Sequence, residues 1–269
     1  MRYRAQKSLG QNFINDENVI SAAISAADVC NDDLILEIGP GTGKLTRPLL
    51  GLARRVIGIE LDQNLAPKLS NYLSEFNNFS LINEDARYLD YKQVTDGQPY
   101  KIISNLPYYA ATFFLRTFLE LEHKPELMVL MFQKEVAENV LATPGSMRLL
   151  SVITQMLCYS EKICDVPKES FEPAPKIDSS IVKLVPKQDS FITPINYVPF
   201  CDLLRAGFSS PRKTISNCLS NSLHKPKSEC NSMLLNCGID PQRRAETLEL
   251  AEWEFLFDNS YEELFSLEW

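Results

Sequence analysis

The segment NLPYY, at residues 105–109, combines side chains that could bind a planar heterocycle. Asn105 carries a carboxamide that both donates and accepts hydrogen bonds, and Tyr108 carries a flat aromatic face. The preceding run YKIIS predicts a buried strand, and the apolar residues that follow predict a helix. A turn that only reversed the chain would use Gly, Asn or Asp. The segment therefore indicates a ligand site where a strand ends.

A second motif, ILEIGPGTGKLT, ends an earlier apolar run with Gly39, Gly41 and Gly43, which let the backbone turn sharply close to a ligand. It is not a P-loop, because only three residues separate Gly39 from Gly43 and Leu45 stands where Ser or Thr is needed. It is not the dinucleotide fingerprint, because Lys44 replaces the third glycine. The G-x-G-x-G form resembles the motif of S-adenosylmethionine (SAM) methyltransferases.

Acidic residues follow the next two predicted strands. Glu60 lies 21 residues beyond Gly39, and its carboxylate could accept both ribose hydroxyls of a nucleoside. Asp85 ends the third strand and could accept a hydrogen bond from an adenine amino group. The carboxyl ends of parallel strands form the ligand crevice of an open α/β sheet. Because these residues converge there with the glycine motif, they predict one cofactor site.

The chemistry of adenine suggests a use for the NLPY residues. Adenine N6 is a poor nucleophile, because its lone pair is delocalised into the ring. The Asn105 side-chain oxygen and the Leu106 carbonyl could each accept one N6 hydrogen, which would favour a pyramidal nitrogen with its lone pair aimed at the SAM methyl group. Pro107 fixes the backbone so that both acceptors point one way, and Tyr108 could stack on the base. The residues indicate a SAM-dependent amino methyltransferase that acts on adenine.

The elements that would position these residues are strands alternating with helices. Apolar, β-rich runs separated by stretches long enough for a helix predict a parallel, doubly wound α/β sheet. The runs are LILEIG, RVIGIEL, FSLIN, YKIISNL and ELMVLMF, followed later by KICDVP and SSIVKLVP. We expect a first helix capped by Asn15 or Asp16 and another helix near 149–158. Residues 171–178, FEPAPKID, are punctuated by proline and predict a loop.

After the last of these runs the strand signals fade and short helices separated by turns are expected. The sequence therefore predicts a Rossmann-like catalytic SAM-binding domain over residues 1–187 and a smaller all-α C-terminal domain over 188–269. Near the end of the chain, Leu248, Ala251 and Phe255 recur at helical spacing. They predict the buried face of a helix whose other face carries carboxylates.

Composition bears on several classes of protein. No run approaches the ~18 apolar residues of a membrane helix, and the first residues lack the apolar core of a secretory signal. The seven cysteines include no C-x-x-C pair and the only histidines are His123 and His224, so we expect reduced thiols in a cytoplasmic protein without a metal site. The net charge of −8 is local: eight of the 35 acidic residues lie in 245–269, and the remaining chain carries 27 of each sign.

Eight segments, in order along nearly the whole chain, resemble the small-subunit ribosomal RNA adenine N6-dimethyltransferases. They are QKSLGQNFINDENVI, ILEIGPGTGKLT, GIELD, NEDA, ISNLPYY, FQKEVAENV, SFEPAPKIDSSIVKL and RAGFSSPRKTISNCL. The resemblance implies a SAM site formed by Asn12, Ile14, Glu37, Gly39, Gly41, Gly43, Glu60, Asp85, Ala86 and Asn105. It also implies that Phe171 faces Tyr108, so that the two rings sandwich a flipped adenine beside Asn105, Leu106 and Pro107.

The implied substrate is a pair of adjacent adenosines in the hairpin loop near the 3′ end of small-subunit rRNA, and the implied product is N6,N6-dimethyladenosine. The implied partner is an immature small ribosomal subunit, whose rRNA the C-terminal domain over 188–269 would recognise, with a role in ribosome biogenesis. We expect a monomer that binds no membrane. Basic residues could form the footprint that RNA needs. They are Arg2, Arg4, Lys7, Arg205, Arg212, Lys213, Lys225, Lys227, Arg243 and Arg244.

Three classes of function remain open on the sequence. The first is the small-subunit rRNA dimethyltransferase, whose close enzymatic rival acts on large-subunit rRNA and confers antibiotic resistance. The second is a non-catalytic ribosome-assembly factor on the same scaffold, against which the intact NLPY and glycine motifs argue. The third is a methyltransferase for a small molecule or DNA; the basic helical C-terminal region and the arm before Asn12 argue against a small substrate.

Overall fold

The structure is a computed structural model that describes residues 1, 3–6, 9–193 and 195–265, with side chains described as far as Ser260. The chain forms two compact units. The first unit contains residues 1–137 and 159–186, and the second contains residues 138–158 together with the chain from Lys187 onward.

The described residues form the following strands and helices. The strands are β1 (Phe13–Ile14), β2 (Leu34–Ile38), β3 (Arg55–Ile59), β4 (Phe79–Ile82), β5 (Lys101–Asn105), β6 (Leu127–Gln133), β7 (Cys158–Val166), β8 (Phe171–Glu172) and β9 (Ser179–Pro186). The helices are α1 (Glu17–Ala26), α2 (Thr46–Leu50), α3 (Ala66–Tyr72), α4 (Tyr91–Val94), α5 (Ala111–Glu120), α6 (Lys134–Val140), α7 (Leu149–Leu157), α8 (Tyr197–Gly207), α9 (Ile215–Leu223), α10 (Lys227–Asn236) and α11 (Leu250–Phe265).

A seven-stranded sheet in the order β4-β3-β2-β5-β6-β9-β7 confirms the predicted α/β fold. The five strands from β4 to β6 in that order are parallel, and they are the five apolar runs identified in the sequence. In β2, Leu34, Ile35, Leu36 and Ile38 are each at most 2% exposed, as a strand covered on both faces requires. The short strands β1 and β8 pair separately and antiparallel, with Ile14 opposite Phe171.

The sheet is not parallel throughout, because β9 runs antiparallel to β6. An apolar run predicts a buried strand but carries no information about its direction. The connection between β7 and β9 contains only a 3₁₀ turn and β8 and no α-helix. A parallel neighbour is normally reached through a helical crossover. Strands β7 and β9 are neighbours in the sheet, so this connection without a helix is of the kind that joins antiparallel strands.

Local predictions in the first unit hold with one exception. Asp16 caps α1, because its side chain accepts hydrogen bonds from the backbone amides of Asn18 and Val19. The proline-rich segment 171–178 is a loop except at its first two residues, which form β8. A cis peptide bond joins Glu172 to Pro173.

The second unit is built from helices around an aromatic core. Within it α8 packs against α7, α9 and α11, and α9 packs against α10. Phe191, Phe200 and Phe257 meet edge to face, with ring centroids 5.4–6.1 Å apart. Trp253 is fully buried and stacks on Phe208. The contacts of α7 explain why residues 138–158 belong to this unit. The sequence had instead predicted a single boundary between residues 187 and 188.

The predicted buried face of the last helix is wrong. Leu248 is buried but precedes α11, and Ala251 and Phe255 are exposed. The buried positions of the helix include Trp253, Leu256 and Phe257. Three apolar residues at helical spacing were too few to predict which side of the helix is buried, because another side of the same helix also carries large apolar side chains.

Several further properties concern the whole of the described chain. All seven cysteines are free thiols. None of the helices that the structure describes is both long enough and apolar enough to span a bilayer. In the same residues, His, Cys, Asp and Glu side chains form no group of three or more that could hold a metal ion.

The aromatic core of the second unit depends on a glycine. Gly207 ends α8, and a Cβ added there would lie 2.6 Å from Cη2 of Trp253. Because Trp253 is fully buried, its ring cannot move aside without disturbing its neighbours. We expect Gly207→Ala to lower the free energy of unfolding by about 1–3 kcal/mol, as overpacking of a core does. Chemical denaturation followed by tryptophan fluorescence measures this loss.

Gly51→Ala is the matched control, because a Cβ at Gly51 would meet nothing closer than 3.5 Å. Its unfolding midpoint should stay close to that of the unsubstituted protein. A Gly207→Ala variant as stable as this control would show that Trp253 is not held as tightly as its burial indicates.

Candidate active site

A pocket with about 960 Å³ of empty space, part of it open to solvent, lies at the carboxyl ends of the parallel strands in the first unit. Most of the residues predicted from the sequence line it: Asn12, Ile14, Glu37, Gly39, Gly41, Glu60, Asp85, Ala86, Asn105, Leu106, Pro107 and Tyr108. Gly43 and Phe171 are not among the lining residues. The topology thus brings together residues that are distant in the sequence: Asn12 and Tyr108 are 96 positions apart.

The glycine loop after β2 has two separate structural uses. Gly41 has φ of +58°, and a Cβ there would lie 2.8 Å from Cδ1 of Phe13. Gly43 has φ of +78°, and a Cβ there would lie 2.7 Å from Cδ1 of Leu69. Both positions therefore exclude a side chain by conformation and by space. Gly41 serves the pocket, whereas Gly43 serves the packing of α3.

Two carboxylates stand beside this loop, and both are buried. Glu60 is 6% exposed, and its two oxygens accept hydrogen bonds from the backbone amides of Gly41 at 3.1 Å and Asp62 at 2.9 Å. Burial raises the pKa of Glu60 above its ordinary value. Glu37 is 2% exposed, and burial raises its pKa to about 8. Its Oε2 atom has no hydrogen-bond partner.

Asn105, at the end of β5, supplies the second unpartnered oxygen of the pocket. Its Nδ2 donates to the backbone carbonyl of Asn12 at 3.0 Å, and this bond fixes which way the amide faces. Its Oδ1 is buried and has no partner. In the described part of the chain six buried side-chain polar atoms lack a partner, and two of them belong to Glu37 and Asn105 in this pocket. Such atoms are uncommon, and within a pocket they offer unused acceptors to a ligand.

Tyr108 and Phe171 meet, but not as a parallel pair. Their ring centroids are 6.4 Å apart and the rings stand edge to face at 74°. Phe171 is 4% exposed and belongs to the apolar core. The Tyr108 hydroxyl lies 2.6 Å from Oγ of Ser179, and burial raises the pKa of Tyr108 above its ordinary value. In this arrangement no flat space for a base separates the two rings.

Asp85 already has a partner, which the sequence reasoning missed. Both of its carboxylate oxygens accept hydrogen bonds from the Arg87 guanidinium, at distances between 2.6 and 3.1 Å. These bonds hold the pKa of Asp85 below its ordinary value. Arg87 also lines the pocket, and its guanidinium lies 5.6 Å from the ring centroid of Tyr88. The adenine of a cofactor that contacted Asp85 would therefore also contact Arg87.

The N-terminal residues also form one wall of the pocket. We call residues 3–6 and 9–14 the arm. The lining residues include 9–14 without a gap. The arm contacts Asp62, another residue that the sequence reasoning missed, through hydrogen bonds from Tyr3, Gln6 and Gln11. The sequence offered little signal for this contact, because an acidic residue after a strand usually caps the next helix.

The predicted RNA-binding residues fall into three groups. Arg205, Arg243 and Arg244 pair with Asp202, Glu252 and Glu246. Arg4, Arg212, Lys213 and Lys227 are exposed, and Lys225 is half-buried. Arg2 and Lys7 lie outside the described residues. Pairing reduces the attraction of a cation for a phosphate, so the first group is less suited to bind RNA than the second.

Comparison with known proteins shows the family. Residues 2–259 match the family described as ribosomal RNA adenine dimethylase. A Dehalococcoides mccartyi protein named ribosomal RNA small subunit methyltransferase A is 42% identical to this chain, over 94% of this chain and 87% of its own length. A Clostridium perfringens protein of the same name is 39% identical, over 95% of this chain and 90% of its own.

Solved structures agree with these matches. A dimethyladenosine transferase from Plasmodium falciparum superposes with a TM-score of 0.81 and 28% identity, covering 93% of this chain and 98% of that one. The 23S rRNA methyltransferase ErmE gives a TM-score of 0.74 and 25% identity, covering 92% of this chain and 99% of that one. From its sequence match along nearly its full length, the chain belongs to the ribosomal RNA adenine dimethylase family.

Proposed function

We propose that this chain transfers methyl groups from SAM to N6 of two adjacent adenosines in the hairpin loop near the 3′ end of small-subunit rRNA. Family membership gives the class of enzyme, an rRNA adenine dimethyltransferase that depends on SAM. The choice of the small subunit rests on relatives about 40% identical that bear that name. The structural observation that carries the proposal is the buried, unpartnered Oδ1 of Asn105 in the pocket.

Asn105 and Leu106 would activate the adenine amino group by accepting its hydrogens. Asn105 Oδ1 would accept a hydrogen bond from one N6 hydrogen, and the Leu106 carbonyl would accept one from the other. This favours a pyramidal nitrogen whose lone pair is no longer delocalised into the ring. Because the Asn105 amide is fixed by Asn12, this acceptor needs no reorientation when the base arrives. No general base is required, since the methylated ammonium is strongly acidic and loses its proton to water. The role of the protein is positioning and electrostatic stabilisation.

The residues of the pocket fit SAM. When bound, SAM supplies an electrophilic methyl group on a positively charged sulfonium. We propose that the unpartnered carboxyl of Glu37 holds a cationic part of SAM, that Glu60 accepts its ribose hydroxyls, and that Asp85 with Ala86 contacts its adenine. Gly39 and Gly41 would let the backbone approach it closely, and Asn12 and Ile14 would cover it from the arm. Gly43 acts indirectly, because it keeps α3 against the loop.

The target base needs a change in Tyr108. Phe171 is held by the core and by its pairing with Ile14, whereas Tyr108 is half-buried and lines the pocket. We infer that Tyr108 turns when the base enters, giving up its hydrogen bond to Ser179, so that the base stacks between the two rings. Stacking does not depend on N6 hydrogens and would therefore persist after the first methylation.

The rest of the assignment follows from chemistry and charge. We propose that the first unit carries the cofactor site and that the second contributes to rRNA recognition through its exposed basic residues Arg212, Lys213 and Lys227. The working partner would be an immature small ribosomal subunit in the cytoplasm, bound by a monomer of this chain. A large-subunit substrate is a second candidate, because ErmE has a similar fold. The lower identity of ErmE makes it the weaker one.

One experiment tests this function directly. The protein is incubated with labelled SAM and either immature small subunits or, in a parallel reaction, large-subunit rRNA. The modified nucleotides are mapped, and nucleosides are followed by mass spectrometry. We expect label at two adjacent adenosines, with monomethyladenosine appearing first and converting to N6,N6-dimethyladenosine. Label on large-subunit rRNA alone would favour the second candidate. Monomethyladenosine as the final product would contradict dimethylation.

The Asn105 amide gives a sharper prediction. Asn105→Ala removes the acceptor that is fixed beside the base, and loss of such a catalytic hydrogen-bonding group typically lowers turnover ~10²–10³-fold. We expect that loss in kcat, with a thermal unfolding midpoint close to that of the unsubstituted protein. Asn71→Ala, an exposed asparagine of α3, is the control and should leave kcat unchanged. Near-normal turnover in Asn105→Ala would refute the assigned role.

Glu37 gives a prediction about pH. Folding raises the Glu37 pKa from 4.5 to about 8, so between those pH values the folded state holds a proton that the unfolded state has lost. Stability must therefore fall as pH rises through that window. Glu37→Gln cannot lose this proton, so the variant should gain stability over the unsubstituted protein from near pH 5 towards pH 8. Denaturant unfolding of the ligand-free proteins at several pH values measures the difference.

The same substitution should weaken the binding of SAM, because a neutral amide attracts a cation less than a carboxylate does. Isothermal titration calorimetry at pH 8 checks this. A Glu37→Gln protein that gains stability yet binds SAM as tightly as before would leave the pKa argument intact but would remove Glu37 from the cofactor site.

A further inference from the structure

We propose that Asp62 is a positioning residue that holds the arm against the cofactor pocket and, through the arm, sets the Asn105 amide. Asp62 follows β3, two positions after Glu60, and is only 3% exposed. It is not among the residues that line the pocket. Its influence on the reaction must therefore pass through other residues. The inference rests on the proposed cofactor site and assigns a residue outside it.

Three donors from the arm converge on one oxygen of Asp62. The Tyr3 hydroxyl, the Gln6 amide and the Gln11 amide each lie 2.9 Å from Oδ2. The Gln6 amide also lies 3.2 Å from the Tyr3 hydroxyl, and the Gln6 backbone amide donates to the Gln11 side-chain oxygen at 2.8 Å. The arm thus folds around a single carboxylate oxygen. Hydrogen bonds to a charged acceptor are among the stronger ones in proteins.

The other oxygen of Asp62 has a different use. Oδ1 accepts from the backbone amides of Asn64 at 2.9 Å and Leu65 at 3.3 Å, as a residue before a helix commonly does. Burial alone would raise the pKa of the Asp62 carboxyl, but the bonds from Gln11, Asn64 and Tyr3 hold it below its ordinary value. A capping role explains Oδ1 but leaves the three donors on Oδ2 unexplained.

A short path leads from Asp62 to the catalytic amide. Gln11 donates to Asp62, and the next residue, Asn12, presents its carbonyl to Nδ2 of Asn105. On the same stretch Phe13 packs in the space left by Gly41. The position of this stretch therefore affects both the wall of the cofactor pocket and the orientation of Asn105. If the arm is already fixed at Asp62, the entropic cost of ordering it when the cofactor binds is smaller.

Asp62→Asn separates the two uses of the side chain. Asparagine is as good a helix cap as aspartate, so Oδ1 can still serve Asn64 and Leu65. The new NH₂ group would face three donors and can accept from none of them. We expect the affinity for S-adenosylhomocysteine to fall about 10-fold, as when a hydrogen bond to a charged acceptor is lost. Trypsin should also cleave after Arg4 in the arm faster than in the unsubstituted protein.

Calorimetry gives the affinity, and limited trypsin digestion followed by mass spectrometry gives the arm cleavage rate. The matched control is Asp90→Asn, because Asp90 also accepts from two backbone amides at a helix start, those of Lys92 and Gln93. This control should change neither quantity. If Asp62→Asn lowers the melting temperature strongly, Gln6→Leu takes its place, since it removes one arm donor and leaves the cap intact.

Unchanged affinity and unchanged cleavage in both Asp62→Asn and Gln6→Leu would overturn the proposal. Faster cleavage with weaker binding in these variants, and not in Asp90→Asn, would support it. Cleavage of the arm is measured without ligand, so it tests the contact with Asp62 independently of the cofactor. An unsubstituted protein that failed to bind S-adenosylhomocysteine would instead count against the proposed cofactor site.

Discussion

The orientation of the Asn105 amide is the constraint on which the rest of the site depends. Its oxygen is buried without a partner, a condition that costs about 1–3 kcal/mol in a folded protein. Turning the amide over would place oxygen against the carbonyl of Asn12, which accepts from Nδ2 in the observed orientation. The carbonyl of Asn12 therefore keeps the acceptor free. The pairing of β1 with β8 follows directly in the chain and helps to hold that carbonyl in place.

The sheet supports this unfavourable arrangement by being stable elsewhere. The parallel strands β2, β3, β5 and β6 are buried over most of their length, and Glu37, Glu60 and Asn105 lie at or just beyond their carboxyl ends. Burial there raises the pKa values of Glu37 and Glu60 because water is excluded from their carboxyls. The strand interiors stabilise the fold, whereas the polar groups at the strand ends are left for a ligand to bind.

The predictable part of the molecule is the part with local periodicity or chemically specific spacing. Apolar runs predicted the five parallel strands, and the residues that follow them, such as Glu60 and Asn105, line one pocket. Contacts between distant residues could not be predicted: Tyr3 and Asp62 are 59 positions apart in the chain. The apolar run of β9 did not encode its direction relative to β6, and the buried face of α11 depended on the packing of Trp253. A pattern of residue types carries none of this information.

A site rich in carboxylates must still admit a polyanion, and the structure offsets each negative charge separately. The raised pKa of Glu37 favours a bound proton near neutral pH, and Glu60 accepts from two backbone amides. Asp62 accepts from the arm, and Asp85 pairs with Arg87. The field at the pocket is thus weaker than four carboxylates would produce, and a cationic cofactor would reduce it further. A positively charged ligand in the pocket would therefore make the neighbouring surface less repulsive to phosphates.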